Sequence, residues 1–159
     1  MGFAEAVEAG YRNYFNFSGR ATRAAYWWFV LWNALLLFTT VMLAAVAISI
    51  QRTNPPGALV VAVLALILGL FLLASCIPQL AAEVRRLHDA GHSGKWVLAQ
   101  IGLIVARGGL LAVDHRVPGL GLHLAGLGLA LVSLGIDIAI FIFLVQPSRQ
   151  DYGKYGYGR

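Results

Sequence analysis

Charged residues are scarce in this chain. Only 12% of its 159 residues are Asp, Glu, Lys or Arg, and 59% are hydrophobic. A soluble domain usually carries about 25% charged residues. So few polar groups cannot cover a surface that faces water, and the composition therefore indicates that lipid is the solvent of most of this chain.

Cysteine and acidic residues are also rare. The single cysteine, Cys76, excludes a disulfide framework within the chain and a thiolate metal site. Seven acidic residues stand against 12 Lys and Arg, which gives a formal net charge of +5. A basic balance is typical of nucleic-acid binding, but it is also typical of membrane proteins, whose Lys and Arg gather at the cytoplasmic face. No nucleic-acid partner is predicted; the predicted partner is the lipid bilayer.

Long apolar runs make up most of the sequence. A transmembrane helix needs roughly 20 apolar residues to cross about 30 Å of hydrocarbon. The runs predict transmembrane helices over residues 22–50, 58–80, 96–113 and 117–145. The segments between them are short, which favours a single membrane domain over residues 1–159 with an all-α, four-helix bundle fold.

The N-terminal arm, residues 1–19, has a different pattern. Phe3, Val7 and Tyr11 recur at helical spacing, and Glu5 and Glu8 fall on the opposite face. This pattern predicts an amphipathic helix that lies in the membrane interface. A helix packed on the bundle is an equally good interpretation.

The distribution of Lys and Arg predicts the orientation. With the N-terminus and the tail at 146–159 in the cytoplasm, the outer side carries only Arg52 and Arg116, and Arg107 falls within a span. The inner side then holds the remaining cations, which are Arg12, Arg20, Arg23, Arg85, Arg86, Lys95, Arg149, Lys154 and Arg159. This bias predicts a multi-pass protein with both termini in the cytoplasm.

Particular stretches of the chain resemble a known family. These are FSGRATR at 17–23, YWWF at 26–29 and RRLHDAGHSGKW at 85–96. They are similar to domain of unknown function family 805, the YhaH-like inner-membrane proteins of bacteria. The resemblance implies a small protein of the bacterial inner (plasma) membrane, and it brings no established activity. The segment from Arg107 to His123 is longer and more polar than the family's turn.

The first and last of these stretches share the predicted cytoplasmic side, so we expect them to meet in one polar cluster. Its predicted members are Arg20, Arg23, Arg85, Arg86, His88 and Asp89. One interpretation is a salt-bridged cap that fixes the inner end of the bundle. The other is a binding site for an anionic lipid head group or a small phosphorylated ligand, which planar arginine donors suit well.

No enzymatic site is predicted. His88 and His92 have the spacing of metal ligands on a helix, but Gly91 lies between them and no second group of ligands follows, so neither a metal nor a cofactor is predicted. A Ser-His-Asp arrangement and a phosphate-binding glycine loop are both missing from the sequence. We expect a non-enzymatic, structural or stress-related membrane component that binds lipid or a protein partner. A homo-oligomeric channel or small transporter subunit, or a membrane enzyme, stays open.

Ionisable residues interrupt the third and fourth apolar runs. Counted from the predicted cytoplasmic ends, Arg107 and Asp137 lie at about 16 and 14 Å depth. A lone charge near the bilayer centre costs about 2.5–3.5 kcal/mol, so opposite charges at matching depth are expected to form an ion pair. The alternative is that Arg107 reaches outward while Asp137 pairs with Asn33, Gln100 or water.

Overall fold

All regular structure in the described part of the chain is helical. The structure is a computed structural model that describes residues 1–114 and 119–148. It contains α1 (Phe3–Arg12), α2 (Arg23–Ile50), α3 (Pro55–Asp89), α4 (Lys95–Asp114) and α5 (Leu120–Val145). The last four are long and apolar enough to cross a membrane. The predicted all-α, four-span membrane fold is confirmed.

Most of the apolar surface of these helices faces outward. In the most apolar segment of each span no more than 17% of the residues are buried. Outward-facing Leu, Ile and Phe side chains on this scale suit a lipid environment, because lipid tails replace the protein core as their apolar surroundings.

The third helix is longer than its predicted span of 58–80. It begins at Pro55, where a missing N–H costs nothing in the first helical turn. Asn54 caps this end, and its side-chain oxygen accepts a hydrogen bond from the Gly57 N–H at 3.1 Å. Residues 117 and 118 of the predicted fourth span and residues 149–159 of the predicted tail lie outside the described residues.

Glycine ends α3, as the sequence indicates. The N–H of His92 donates to the carbonyl of Leu87 at 2.8 Å, and the N–H of Gly91 donates to the carbonyl of His88 at 3.1 Å. This bonding pattern requires a left-handed residue after the helix, and Gly91 supplies it with φ 83°. The helix therefore runs beyond the predicted span to Asp89.

The described residues form two compact units. The first contains residues 1–17 and 24–82, and the second contains residues 18–23 and the chain from residue 83 onward. The single-domain organisation expected from the sequence stays a prediction.

In the first unit, α1 packs on α2 and α3. The indole N–H of Trp32 donates to the Tyr11 hydroxyl at 2.9 Å, and that hydroxyl lies 2.8 Å from the Ser75 hydroxyl. The Tyr14 hydroxyl donates to the carbonyl of Ala74. Because Pro78 has no N–H, that carbonyl lacks its usual helical partner, and Tyr14 satisfies it. These contacts agree with the interpretation that α1 packs on the other helices. The depth of α1 in the membrane interface stays a prediction.

In the second unit, α4 and α5 run antiparallel. The Trp96 and Phe143 rings lie 5.4 Å apart at one end, and Gln100 contacts Asp137 further along. The Phe143 ring also stacks on His92 at 3.8 Å. The last turn of α5 therefore lies beside the loop that precedes α4 as well as beside α4 itself.

Candidate functional site: a buried arginine cluster

The connector before α2 lies against the end of α3, within the second unit. The N–H of Ala21 donates to the carbonyl of Arg85 at 3.1 Å. Gly19 adopts φ 85°, a left-handed conformation that a residue with a side chain rarely adopts. This turn brings Arg20 to the last turn of α3.

Arg86 is the centre of the site. Its side chain has no solvent exposure. Its Nε donates to the carbonyl of Leu144 at 3.0 Å, Nη1 donates to Asp89 Oδ2 at 2.5 Å, and Nη2 donates to the carbonyl of Gln146. The last carbonyls of a helix have no intrahelical partner and carry partial negative charge. Arg86 therefore caps the C-terminal end of α5 with a positive charge.

Asp89 joins the connector to this cap. It accepts a hydrogen bond from Arg20 Nε on Oδ1 at 3.0 Å, while Arg20 Nη2 donates to its backbone carbonyl at 3.0 Å. The Ser148 hydroxyl donates to Oδ2. The Asp89 side chain is 7% exposed, and that of Arg20 is 18% exposed. One carboxylate thus links the connector, α3 and the segment after α5.

We call Arg20, Arg86 and Asp89 the polar cluster. Of the other residues expected near it, Arg85 is buried and its backbone holds the connector. His88 forms a hydrogen bond with the backbone of Gly19. Arg23 is exposed at the start of α2, close enough to Arg86 for their charges to interact.

Sequence reasoning did not find the partners after α5. The Gln146 Oε1 accepts a hydrogen bond from His92 Nε2 at 3.0 Å, and the backbone carbonyl of Gln146 accepts one from Arg86. The Ser148 hydroxyl donates a further hydrogen bond to the Asp89 carboxylate. Two of the three acceptors of Arg86 are backbone carbonyls, which every residue carries, so the sequence contains no pattern that reveals them.

The structure does not bring Arg107 and Asp137 together. Asp137 Oδ1 accepts a hydrogen bond from Gln100 Nε2 at 2.9 Å, which is the alternative that the sequence left open. The ion pairs within residues 1–114 and 119–148 do not include Arg107 with Asp137. With Gln100 opposite Asp137, Arg107 lies about 10 Å further along α4. The expected match in depth assumed that α4 begins at the same level at which α5 ends.

Comparison with known proteins connects these features to a family. The family described as "Protein of unknown function (DUF805)" matches residues 14–157. The chain belongs to this family. Its resemblance to family 805, first indicated by the stretches around Arg20 and Arg86, is confirmed.

Two curated relatives are inner membrane proteins of Escherichia coli strain K12. Inner membrane protein YhaI is 39% identical over 95 residues, an alignment that covers 55% of this chain and 63% of YhaI. Inner membrane protein YhaH is 34% identical over 87 residues, covering 55% of this chain and 64% of YhaH. The aligned part is thus less than two thirds of either relative. No solved structure matches the chain.

Both the family and the four apolar helices indicate a membrane protein. The relatives are named as inner membrane proteins, and the chain has four helices suited to crossing a bilayer. The chain is therefore a multi-pass membrane protein of a family whose function is not established.

Proposed function

We propose that this protein is a non-enzymatic structural component of the bacterial inner membrane. The polar cluster lies on the cytoplasmic side and holds helix ends of the second unit together. Exposed cations around it contact anionic lipid head groups. The observation that supports this proposal is the bonding of Arg86, whose Nε, Nη1 and Nη2 all donate to acceptors of the protein itself.

An arginine that serves as a ligand-binding residue keeps donors open toward the ligand. Arg86 has no exposed side-chain surface, and Arg20 directs Nε and Nη2 to Asp89. Breaking such contacts to admit a ligand would leave buried polar groups unpaired, which is costly. This favours a structural role for the cluster over the binding of a small phosphorylated molecule.

The exposed cations at the starts of α2 and α4 are better placed for lipid. Arg23, at the start of α2, and Lys95, at the start of α4, are both exposed. A Lys or Arg near an anionic membrane surface contributes about 1 kcal/mol of attraction. The two side chains therefore supply lipid contact without disturbing the buried contacts of Arg86.

Native mass spectrometry of the protein released from nanodiscs tests this division of roles. Nanodiscs that mix phosphatidylglycerol with phosphatidylcholine should give a bound-lipid population enriched in phosphatidylglycerol. The double variant Arg23→Gln, Lys95→Gln should lose that enrichment. The matched control is Arg52→Gln, which removes an exposed cation from the turn after α2. This variant should keep the enrichment in phosphatidylglycerol. Equal enrichment in all three proteins would contradict the proposed lipid contact.

One observation favours a second candidate function, a homo-oligomeric channel or transporter subunit. Asp137 is exposed on the surface of α5, within an apolar span, with Gln100 as its hydrogen-bond partner. An ionisable group facing lipid is costly and suits a subunit contact or a water-filled path. If copies associate there, Asp137→Leu should shift the native mass spectrum from oligomer to monomer. A wild-type protein that is monomeric at every lipid-to-protein ratio would exclude this candidate.

A further inference from the structure

The contacts of α1 show that this helix runs across α2 and not along it. Phe3, near the start of α1, lies 5.9 and 6.2 Å from the rings of Trp28 and Trp32. Tyr11, near its end, contacts Phe29 at 5.4 Å and accepts a hydrogen bond from Trp32. Phe3 and Tyr11 are about 12 Å apart along α1, yet both reach the same turn of α2. Because α2 spans the bilayer, α1 runs close to the membrane plane.

The level of α1 along the spans is one hydrocarbon thickness from the turn between α2 and α3. On α2 the distance from Trp32 to the end at Ile50 is about 27 Å, and on α3 the distance from Ser75 to the start at Pro55 is about 30 Å. The hydrocarbon core of a bilayer is about 30 Å thick. The turn at 51–54 is polar and exposed, as expected at one membrane surface. The α1 helix therefore lies at the opposite surface, where α2 begins.

The outer face of α1 is charged. Ala6 and Gly10 are buried against the spans, and the face opposite to them carries three exposed charged side chains, Glu5, Glu8 and Arg12. Such groups are costly in hydrocarbon and are accommodated among hydrated head groups. This face excludes a position of α1 among the acyl chains, and it agrees with the level given by the two spans.

Exposed aromatic rings follow α1 at the same level. The Tyr14 hydroxyl donates to the carbonyl of Ala74, which holds the turn after α1 beside α3. Phe15 is 73% exposed in this turn, and Phe17 is exposed as well. At the boundary between head groups and acyl chains, these rings would gain apolar surroundings that water does not provide.

We propose that α1 and the turn after it bind the head-group layer on the side of the membrane where α2 begins, with Phe15 and Phe17 inserted among the first acyl carbons. The partner is a lipid surface, and lipid charge does not select it, because the exposed charges of α1 are of both signs. The inference does not rest on the lipid contacts proposed for Arg23 and Lys95.

This placement also moves the membrane boundary on α3. It lies at about Ser75, roughly 8 Å before the apolar run ends at Leu80. Asn33 Nδ2 donates to Gln79 Oε1 at 3.1 Å, and Gln79 lies beyond the new boundary. A side-chain amide is accommodated more easily there than in the hydrocarbon that the apolar run predicts.

Nitroxide spin labels on single cysteines test the depth of α1. In a Cys76→Ser background, the labels are attached in Phe15→Cys and Glu8→Cys. Leu66→Cys, in the middle of α3, is the control for hydrocarbon, and Arg52→Cys is the control for water. All of the replaced side chains are exposed, so the changes leave the packing intact. Electron paramagnetic resonance in phosphatidylcholine bilayers measures the accessibility of each label to oxygen and to a water-soluble nickel chelate.

We expect the Phe15 label at a depth of about 5–10 Å, and the Glu8 label to be as accessible to nickel as the Arg52 label. A label in Ile77→Cys should lie at the head-group level, much shallower than the Leu66 label. The proposal is overturned if the Phe15 label is as accessible to nickel as the Arg52 label, or if the Glu8 or Ile77 label is as protected as the Leu66 label. Because these bilayers contain no anionic lipid, the result does not decide the lipid contacts of the exposed cations.

Discussion

Removing Arg86 should destabilise the protein far more than removing an exposed arginine. In Arg86→Ala, Asp89 keeps Arg20 but loses its second cation, and the carbonyls of Leu144 and Gln146 lose their donors. Deleting one partner of a buried ion pair typically costs about 3–5 kcal/mol. We expect a loss of that size in the free energy of unfolding.

A lysine at this position should recover only part of the loss. Arg86→Lys keeps the positive charge beside Asp89, but an ammonium group is compact and cannot repeat the fork that reaches three acceptors in different directions. At least one acceptor is left unpaired, and a buried unpaired group costs about 1–3 kcal/mol. The lysine variant should therefore fall between alanine and the wild type.

The assay is unfolding by sodium dodecyl sulfate in mixed micelles, followed by tryptophan fluorescence. The control is Arg12→Ala, which breaks the ion pair with Glu8 on α1, where the arginine side chain is 74% exposed. An exposed pair of this kind contributes less than about 1 kcal/mol. If Arg86→Ala lowers the free energy of unfolding no more than Arg12→Ala does, the conclusion that Arg86 caps α5 is wrong.

Three further substitutions test other parts of the fold. Tyr14→Phe should lower the free energy of unfolding by about 0.5–1.5 kcal/mol, because the carbonyl of Ala74 loses its donor; an unchanged unfolding curve would refute that role. Gly91→Ala should cost about 1 kcal/mol or more because it strains a φ of 83°, and a neutral result would mean that α3 ends in another conformation. The exchange Arg107→Asp, Asp137→Arg should give no more folded protein than either single change, because Asp137 pairs with Gln100 and not with Arg107. Recovery to the wild-type yield would indicate that Arg107 and Asp137 do form an ion pair.

Several features of the fold could be predicted from the sequence because each depends on local composition. Apolar runs long enough to cross a bilayer identified four of the helices. A glycine after a helical pattern predicted that α3 continues beyond its apolar part and ends near Gly91. The shared face of Phe3 and Tyr11 predicted α1, whose rings now contact Trp28 and Phe29.

The partners within the site could not be predicted in the same way. Arg86 bonds to backbone carbonyls at the end of α5, and these acceptors have no sequence pattern. The level of Asp137 relative to Arg107 depends on how far α5 extends past the start of α4. The stacking of Phe143 on His92 shows that extension. This is a packing contact between residues distant in sequence, so a local pattern does not predict it.

Nitrogen-15 NMR of the arginine side chains tests the central claim, that the buried cluster is structural and that lipid meets the exposed cations. Spectra of the protein in micelles are compared before and after addition of phosphatidylglycerol, with signals assigned through Arg86→Lys and Arg23→Lys. The account predicts a slowly exchanging Arg86 Nε–H signal that does not move, together with an Arg23 signal that does. A rapidly exchanging Arg86 signal, or one that moves with phosphatidylglycerol while Arg23 stays still, would contradict it.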